Sequence, residues 1–142
     1  MKNEQETGDY RLDLQVGYLL RRATQRHLSI FSQHIPQLTS TQFAALAKLC
    51  ELGPTSQNAL GRATSMDAAT IKGVADRLRA KGLLVSTPDP DDRRRIHLTP
   101  TDQGRALYEA TFPKAHRVTL DTLEPLTPEE RAQFLDLLLK LT

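Results

Sequence analysis

Three consecutive arginines are the residues whose chemistry is easiest to interpret. Arg93, Arg94 and Arg95 follow the segment Pro-Asp-Pro-Asp-Asp at residues 88–92, a composition typical of a tight turn. Guanidinium groups on a narrow turn are able to reach phosphates or the minor groove of DNA, and the nearby aspartates orient them. We therefore predict that this turn binds nucleic acid, with one of the three arginines paired within the chain.

A second group of polar residues lies on one face of the helix predicted from Asp67 to Lys81. The opposite face carries Ile71, Val74 and Leu78 at helical spacing, which indicates that it points inward. Residues on the outward face are able to meet base edges in a major groove. Those predicted to do so are Ala69, Thr70, Lys72, Gly73 and Arg77.

Alternatives stay open for three members of this face. Lys72 and Arg77 fit a solvated helix face as well as a DNA-binding one. Gly73 costs helix stability, about 0.5–1 kcal/mol relative to alanine, and either admits a base edge or relieves local crowding. The charge distribution favours DNA, because nine Lys and Arg residues lie between Arg62 and Arg105 against six Asp, while the whole chain has a net charge of only +2.

The sequence lacks the motifs of common catalytic sites. It has no Gly-x-Ser-x-Gly, no phosphate loop and no His-Glu-x-x-His, and its carboxylates cluster at helix starts and a turn. The single cysteine, Cys50, excludes an internal disulfide and a cysteine-based zinc site. Leucines around Cys50 predict a buried thiol. We predict a protein that is not an enzyme and needs neither a metal nor a cofactor.

Length and composition predict one domain. The chain has 142 residues, of which 39% are hydrophobic and 25% charged, and these values suit a single folded unit. Residues 1–10 lack apolar periodicity and are predicted to form a flexible tail, while residues 11–142 form the domain. We expect a cytoplasmic protein without membrane contact, because neither a signal-peptide pattern nor a run of about 20 apolar residues is present.

Apolar periodicity and capping signals define the elements that position these residues. A short helix, a turn and a second helix make a helix-turn-helix, and a β-hairpin that carries the arginines follows it. The predicted elements are, in chain order, a helix from residue 12 that ends at 36, a helix capped at 39 that ends at 53, helices at 56–63 and 67–81, strands at 83–87 and 95–99, a helix from about 101 with a kink at 113, and a helix capped at 127.

The last predicted helix is unusually apolar for a small domain. Phe134, Leu135, Leu138, Leu139 and Leu141 exceed what one core of this size needs to bury. An apolar surface of this kind favours exchange of helices with a second copy of the chain. We therefore predict a homodimer.

Three stretches of the chain together resemble the multiple antibiotic resistance regulator (MarR) family. They are Asp67-Ala-Ala-Thr-Ile-Lys-Gly-Val-Ala-Asp-Arg-Leu-Arg-Ala-Lys-Gly-Leu-Leu84, Asp89-Pro-Asp-Asp-Arg-Arg-Arg95 and Thr101-Asp-Gln-Gly104. The order of the predicted helices extends the resemblance over nearly the whole chain. It implies a mainly α fold with a small β-hairpin wing, a winged helix-turn-helix, with a DNA-binding lobe at about 55–100 and dimerisation through helices at 11–36 and 101–142.

The resemblance also implies a function and further site residues. Members of the family bind pseudo-palindromic double-stranded DNA and usually repress nearby genes until a small molecule releases them. Residues 67–81 would be the recognition helix and Arg93 to Arg95 the wing, while Ser56, Gln57 and Asn58 would contact phosphates. Two departures are Ser86, where many relatives have an arginine that supports the wing, and Pro100, where a leucine is common.

An effector pocket is the other expectation that the resemblance raises. His27 and His34 stand one heptad apart on the apolar stripe of the first helix, where aliphatic residues would be usual. A guanidinium holds a carboxylate, an imidazole or phenol bonds a ring substituent, and phenylalanine supplies an apolar wall. Each histidine alone is better interpreted as a satisfied interface residue, whereas the two together with Arg21 favour a pocket for a small aromatic acid. The predicted ligand-binding residues are Tyr18, Arg21, Arg22, His27, Phe31, His34 and Phe43.

The sequence therefore predicts a dimeric repressor that a small aromatic carboxylate, phenolic or nicotinate-like, releases from its operator. Two alternatives stay open. One is an oxidant-sensing repressor that acts through Cys50, and the other is a winged-helix protein-interaction module that has lost operator binding.

Overall fold

The computed structural model describes residues 9–142, and most of the predicted tail at residues 1–10 lies outside the described residues. Asp9 and Tyr10 are exposed and lie outside any helix or strand. The described residues form six α-helices and one antiparallel hairpin, which agrees with the predicted fold class. These elements are α1 (Val16–His34), α2 (Ser40–Leu52), α3 (Gln57–Ala63), α4 (Ala68–Ala80), β1 (Leu84–Pro88), β2 (Ile96–Pro100), α5 (Asp102–Thr122) and α6 (Pro128–Lys140).

Side-chain caps set the starts of five helices where the sequence predicts them. Thr39 and Gln42 form a reciprocal capping box at α2, and Thr127 and Glu130 form another at α6. The other capping residues are Ser56 at α3, Asp67 at α4 and Thr101 at α5. Each cap satisfies an amide that the first helical turn leaves unpaired.

The first helix begins later than its apolar pattern predicts. Leu12–Leu14 form a 3-10 turn, and α1 starts only at Val16, because the backbone of Gln15 is extended. The predicted inward stripe is also partly wrong for a single protomer. Val16, Leu19 and Leu20 are exposed, and α1 buries only Phe31 among its described residues.

Both strands lie one residue later than predicted. Gly82 adopts a positive φ of 73° at the end of α4, which allows the amide of Leu83 to donate to the Leu78 carbonyl over 3.0 Å. At the other side of the turn, the amide of Arg95 donates to the Asp92 carbonyl over 2.9 Å. Leu83 therefore belongs to the helix end and Arg95 to the turn, and the register pairs Leu84 with Pro100 and Thr87 with His97.

The core lies in the lobe formed by α2, α3, α4 and the hairpin. Its most buried side chains are Ile35, Leu46, Leu49, Leu60, Ile71, Leu78, Leu84 and Leu98. The hairpin is attached to this lobe at the loop before α3, since Thr55 and Leu98 exchange backbone hydrogen bonds of 3.1 and 2.8 Å. These backbone hydrogen bonds therefore join the wing to the helix-turn-helix.

α5 connects this lobe to the terminal helices. At its start, the Thr101 hydroxyl donates to the Gly82 carbonyl over 2.7 Å, and the Thr101 amide donates to the Leu83 carbonyl over 3.1 Å. Pro100 is buried as the last residue of β2 and pairs with Leu84. α5 then continues as one helix through Pro113, where the sequence predicts a kink.

Large apolar side chains are exposed at the end of the molecule where α1, α5 and α6 meet. α6 buries none of its residues within one protomer, and Leu139 is 72% exposed. The exposed apolar residues on these helices include Leu19, Leu20, Leu120, Phe134, Leu135, Leu137 and Leu141. This surface is the one predicted to bind a second copy.

Candidate DNA-binding surface and effector cavity

The N-terminus of α4 is held by its capping aspartate. The Thr70 amide donates to Asp67 Oδ1 over 2.7 Å. This hydrogen bond is the main reason why the pKa of Asp67 lies below its ordinary value of 3.8. Ala69 and Thr70 follow in the first turn with exposed side chains, as the predicted recognition helix requires.

Gly73 gives room to a neighbouring arginine. A Cβ atom built at Gly73 would lie 3.1 Å from a terminal nitrogen of Arg77 and would meet no backbone of another element. Because that nitrogen is the flexible end of an exposed side chain, both interpretations of Gly73 stay open. Arg77 itself is exposed, and it folds back along the helix toward Gly73.

Asp76 organises the cations on the exposed face of α4. Its carboxylate accepts hydrogen bonds from Lys72 Nζ and from an Arg79 nitrogen, both over 2.9 Å. These two bonds, with Lys72 first, lower the pKa of Asp76. A second nitrogen of Arg79 donates to Ser86 Oγ over 2.9 Å, so Arg79 connects α4 to β1.

The link through Arg79 explains how the wing is supported despite the serine at position 86. The resemblance to the MarR family implied that Ser86 removes a charge pair that supports the wing in many relatives. Here the charge comes from the helix instead of the strand, and Ser86 is the acceptor. Sequence reasoning missed Arg79, although its spacing of three residues from Asp76 is a known signal of a helical ion pair.

The wing arginines project into solvent and are oriented by one aspartate. Arg94 Nε lies 3.4 Å from Asp92 Oδ1, and Arg95 Nε lies 3.9 Å from Asp92 Oδ2. The side chain of Arg94 is nevertheless 90% exposed. Arg93 is exposed as well. The sequence predicts that one of the three arginines is paired within the chain, whereas two of them, Arg94 and Arg95, share Asp92.

A groove of about 500 Å³ separates the wing from the start of α3. Ser56, Arg95 and His97 lie along it together with Pro54, Thr55, Ala59 and Ile96. Ser56 Oγ accepts from the Ala59 amide over 3.2 Å, Gln57 is half-buried and Asn58 is exposed. The predicted phosphate contacts of Ser56, Gln57 and Asn58 stay predictions.

At the other end of the molecule, two histidines of α1 contact the last turns of α5. His27 Nδ1 lies 2.9 Å from Thr122 Oγ1, and His34 Nε2 lies 2.7 Å from Asp121 Oδ2. Arg117 Nε is 3.1 Å from the other oxygen of Asp121. Both histidines thus have hydrogen-bonding partners within the protomer, which agrees with the interpretation of each as a satisfied structural residue.

Arg26 reinforces the same contact and was not predicted. Its guanidinium donates to the backbone carbonyls of Thr122 over 2.6 Å and Asp121 over 3.0 Å. A cation at the carbonyl end of a helix is stabilised by the helix dipole. Arg26 is about 95 residues away from these carbonyls in sequence, so no local pattern signals the pairing.

An open cavity of about 330 Å³ lies between α1, α5 and α6, beside His27. Leu20, Phe134 and Leu135 of its lining also belong to the exposed apolar surface that is predicted to bind a second copy. Its walls are apolar except for His27 and three threonine side chains. The lining residues are Leu20, Ala23, Thr24, His27, Thr119, Thr122, Leu123, Phe134, Leu135 and Leu138. An apolar cavity with a few hydrogen-bonding groups is suited to a small ring-shaped ligand.

The remaining predicted ligand residues do not gather at this cavity. Phe31 and Phe43 contact each other edge to face, with ring centroids 6.0 Å apart, and Tyr108 stands 6.0 Å beyond Phe43. Successive residues of an α-helix are separated by about 100°, so Tyr18, Arg21 and Arg22 lie on the side of α1 turned away from His27. Their part in ligand binding stays a prediction.

Tyr18 and Arg22 form a local contact of their own. The Arg22 guanidinium carbon lies 5.9 Å from the centroid of the Tyr18 ring. Arg21 is exposed. Within one protomer, these three residues therefore form a surface patch on α1 outside the cavity.

Cys50 is half-buried against the core at the end of α2. Burial raises the pKa of its thiol, Arg105 lowers it by a smaller amount, and Glu109 raises it further. A raised pKa disfavours the reactive thiolate. Cys50 therefore has the environment of a structural cysteine.

A helix-turn-helix followed by an arginine-tipped hairpin defines a winged helix-turn-helix DNA-binding protein. A model of the MarR family matches residues 38–96. The transcriptional repressor NicR of Pseudomonas putida is 44% identical over 134 residues, which are 93% of this chain and 85% of NicR. The chain belongs to the MarR family, whose members are transcriptional regulators and not enzymes.

Two solved structures of regulators are similar over nearly their whole length. A probable transcriptional regulator from Pseudomonas aeruginosa is 46% identical with a TM-score of 0.90, covering 93% of this chain and all of its own. BpsR of Bordetella bronchiseptica is 45% identical with a TM-score of 0.89, covering 94% of this chain and 97% of BpsR. DNA binding by BpsR is regulated by 6-hydroxynicotinic acid. They confirm the winged-helix fold.

Across residues 9–142, every helix is too short or too polar to span a membrane.

Proposed function

We propose that this chain is a homodimeric repressor in the cytoplasm and that a small aromatic carboxylate, of the hydroxypyridine-carboxylate class, releases it from its operator. The observation that carries the proposal is the apolar cavity beside His27, between the helices that join the DNA-binding lobe to the dimerisation surface. The similarity to NicR and BpsR supports the ligand class, since 6-hydroxynicotinic acid regulates BpsR.

The cavity has the size and the polar groups for a substituted six-membered ring. Its volume of about 330 Å³ is near the lower end of small-molecule pockets, about 300–1,000 Å³. His27 and Thr24 face it from α1, and Thr119 and Thr122 face it from α5. These groups can hydrogen-bond a ring hydroxyl, a ring nitrogen or a carboxylate oxygen, while the leucines and Phe134 cover the ring.

The cavity also explains how a ligand is able to change DNA affinity. His27 and Arg26 fasten α1 to the carbonyl end of α5, and the start of α5 is fastened to the loop between α4 and β1. A ligand at His27 therefore acts on the far end of α5, the helix whose first residues contact the DNA-binding lobe. Two recognition helices must reach successive major grooves about 34 Å apart. A ligand that prefers another spacing lowers DNA affinity by linkage.

The oxidant-sensing alternative has less support in this chain. Cys50 is half-buried, and burial raises the pKa of its thiol. A module that binds only proteins does not require exposed cations on both α4 and the wing. In this chain Lys72, Arg77 and Arg94 are all exposed, which favours DNA binding. We therefore favour the ligand-responsive repressor over both.

Calorimetric titration with 6-hydroxynicotinate tests the cavity directly. His27→Leu keeps a side chain of similar size but removes the hydrogen-bonding nitrogens, so we expect affinity for the acid to fall at least tenfold. His116→Leu is the matched control, because His116 is exposed on α5 and does not line the cavity. Undiminished affinity in His27→Leu, with the dimer intact, would remove this cavity as the effector site.

A further inference from the structure

We propose that His97 and Asp89 position the wing, so that Arg94 and Arg95 are held in a geometry that favours DNA contact. Neither residue belongs to the set of DNA-binding residues predicted from the sequence. The inference rests on the proposed contact between the wing and DNA, and it adds the residues that hold the wing in place.

The two side chains meet at the turn end of the hairpin. His97 Nε2 lies 3.2 Å from Asp89 Oδ2, and the side chains are only 26% and 14% exposed, respectively. The other Asp89 oxygen accepts from the amides of Asp91 over 2.8 Å and Asp92 over 3.4 Å. One carboxylate therefore serves both the turn and the second strand.

Asp89 is connected to the arginines through the turn. Its amide donates to the Arg95 carbonyl over 2.9 Å, and the amide of Arg95 donates to the carbonyl of Asp92 over the same distance. Asp92 in turn orients the guanidinium groups of Arg94 and Arg95. A change in the position of Asp89 would therefore displace the aspartate that holds both arginines.

His97 is connected to the body of the molecule. Its neighbour Leu98 is 2% exposed and exchanges two backbone hydrogen bonds with Thr55 at the loop before α3. His97 thus moves with the DNA-binding lobe, whereas Asp89 moves with the turn. The contact between them limits rotation of the wing tip relative to α3 and α4.

Asp89 presents a charged acceptor to His97. Hydrogen bonding, chiefly from the Asp91 amide, lowers the pKa of Asp89, so Asp89 is ionised at neutral pH. Arg95 is the other charged side chain along the groove that His97 lines, while Pro54, Thr55, Ser56 and Ala59 on the facing side carry no charge. A hydrogen bond from His97 Nε2 to the Asp89 carboxylate is therefore charge-assisted.

The test measures affinity for DNA that flanks the gene of this protein, by fluorescence anisotropy at constant pH and salt. His97→Leu removes the hydrogen bond to Asp89, and we expect about threefold weaker DNA binding. His97→Gln keeps a donor of similar reach, so it should restore affinity toward the wild-type value. Asp89→Asn should reproduce the loss, and the double variant should lose no more than either single variant.

Two further variants separate this inference from the role of the wing itself. Arg94→Ala should weaken binding, and Lys114→Ala, which removes one positive charge from exposed α5, should not. Weakened binding by Arg94→Ala together with wild-type affinity of His97→Leu would overturn the positioning role alone. Wild-type affinity of Arg94→Ala would overturn the wing contact and the inference with it.

Discussion

Single carboxylates arrange several cations on the predicted DNA-binding surface. Asp76 holds Lys72 and Arg79, and Asp92 lies beside two wing arginines. These ion pairs are exposed, and exposed ion pairs contribute little to stability. We therefore expect their main effect to be on where the cations point when DNA binds.

The cap of the recognition helix gives a prediction for acid pH. The pKa of Asp67 is lower when folded than its ordinary value of 3.8, because the Thr70 amide stabilises the charged form. Its contribution to the free energy of unfolding is therefore full above that value and is lost as the pH falls through the lowered folded pKa. We expect Asp67→Ala to unfold at a lower denaturant concentration than wild type at pH 7.

The same comparison at acid pH checks the cause. As the pH falls through the lowered pKa of Asp67, the two proteins should approach each other in stability, because the wild-type carboxyl becomes protonated. Asp67→Asn keeps an acceptor oxygen for the Thr70 amide, so its difference from wild type should be smaller than that of Asp67→Ala at pH 7. A stability difference for Asp67→Ala that is independent of pH would contradict this account of the cap.

Some site residues follow from sequence and others do not, for a physical reason. The capping roles of Thr39, Asp67 and Thr127 involve partners three residues away, so local spacing is enough to predict them. Arg26 binds carbonyls about 95 residues further on, and its pairing depends on how α1 packs against α5. His97 meets Asp89 because the hairpin brings β2 back beside the residue that follows β1, and no local spacing signals that contact.

Among the elements, the start of α5 is the connection between the DNA-binding lobe and the dimerisation helices. Thr101 binds the Gly82 and Leu83 carbonyls, and Gly104 packs directly against the backbone of Leu83. The Thr-x-x-Gly stretch at residues 101–104 could be recognised in the sequence as part of the family pattern. The close approach to Leu83 that requires the glycine is visible only in the folded molecule.

Substitution of that glycine tests the closeness of the contact. A Cβ atom at position 104 would overlap with the Leu83 carbonyl oxygen, so Gly104→Ala must displace backbone. We expect it to lower the free energy of unfolding by about 1–3 kcal/mol, as overpacking of a well-packed site does. Urea denaturation at fixed protein concentration measures the change.

Gly17 provides the matched control for this helix substitution. It lies in α1, and a Cβ atom there would have nothing within 4 Å. Gly17→Ala should therefore leave stability unchanged or raise it by up to about 1 kcal/mol, through helix propensity. Equal effects of the two substitutions would show that the contact with Leu83 is unimportant.

At the scale of the whole molecule, the apolar side chains exposed on α1, α5 and α6 favour association with a second copy, which would bury them. The sequence alone indicates this surface, because the leucines of the last helix outnumber what one core needs. Which α1 residues join it could not be predicted, since Val16, Leu19 and Leu20 have the same spacing as residues that pack inward. Only the position of α1 against α5 distinguishes the two.

A charge on this surface tests the dimer. Leu139 is 72% exposed in the protomer, so Leu139→Glu should fold but should oppose association, because it places a carboxylate in an apolar interface. Light scattering should report a monomer, and operator affinity should fall because one half-site remains engaged. Leu52→Glu is the control, since Leu52 is 51% exposed at the end of α2. A Leu139→Glu dimer of wild-type stability would place the interface elsewhere.

Operator release by the effector tests the central claim most directly. Fluorescence anisotropy of the purified protein with DNA that flanks its own gene would be measured at two salt concentrations, with and without 6-hydroxynicotinate. We predict tight binding that weakens steeply with salt, because several phosphates are neutralised, and release of the DNA by the acid at both salt concentrations. Tight binding that 6-hydroxynicotinate and related ring acids leave unchanged would contradict the account.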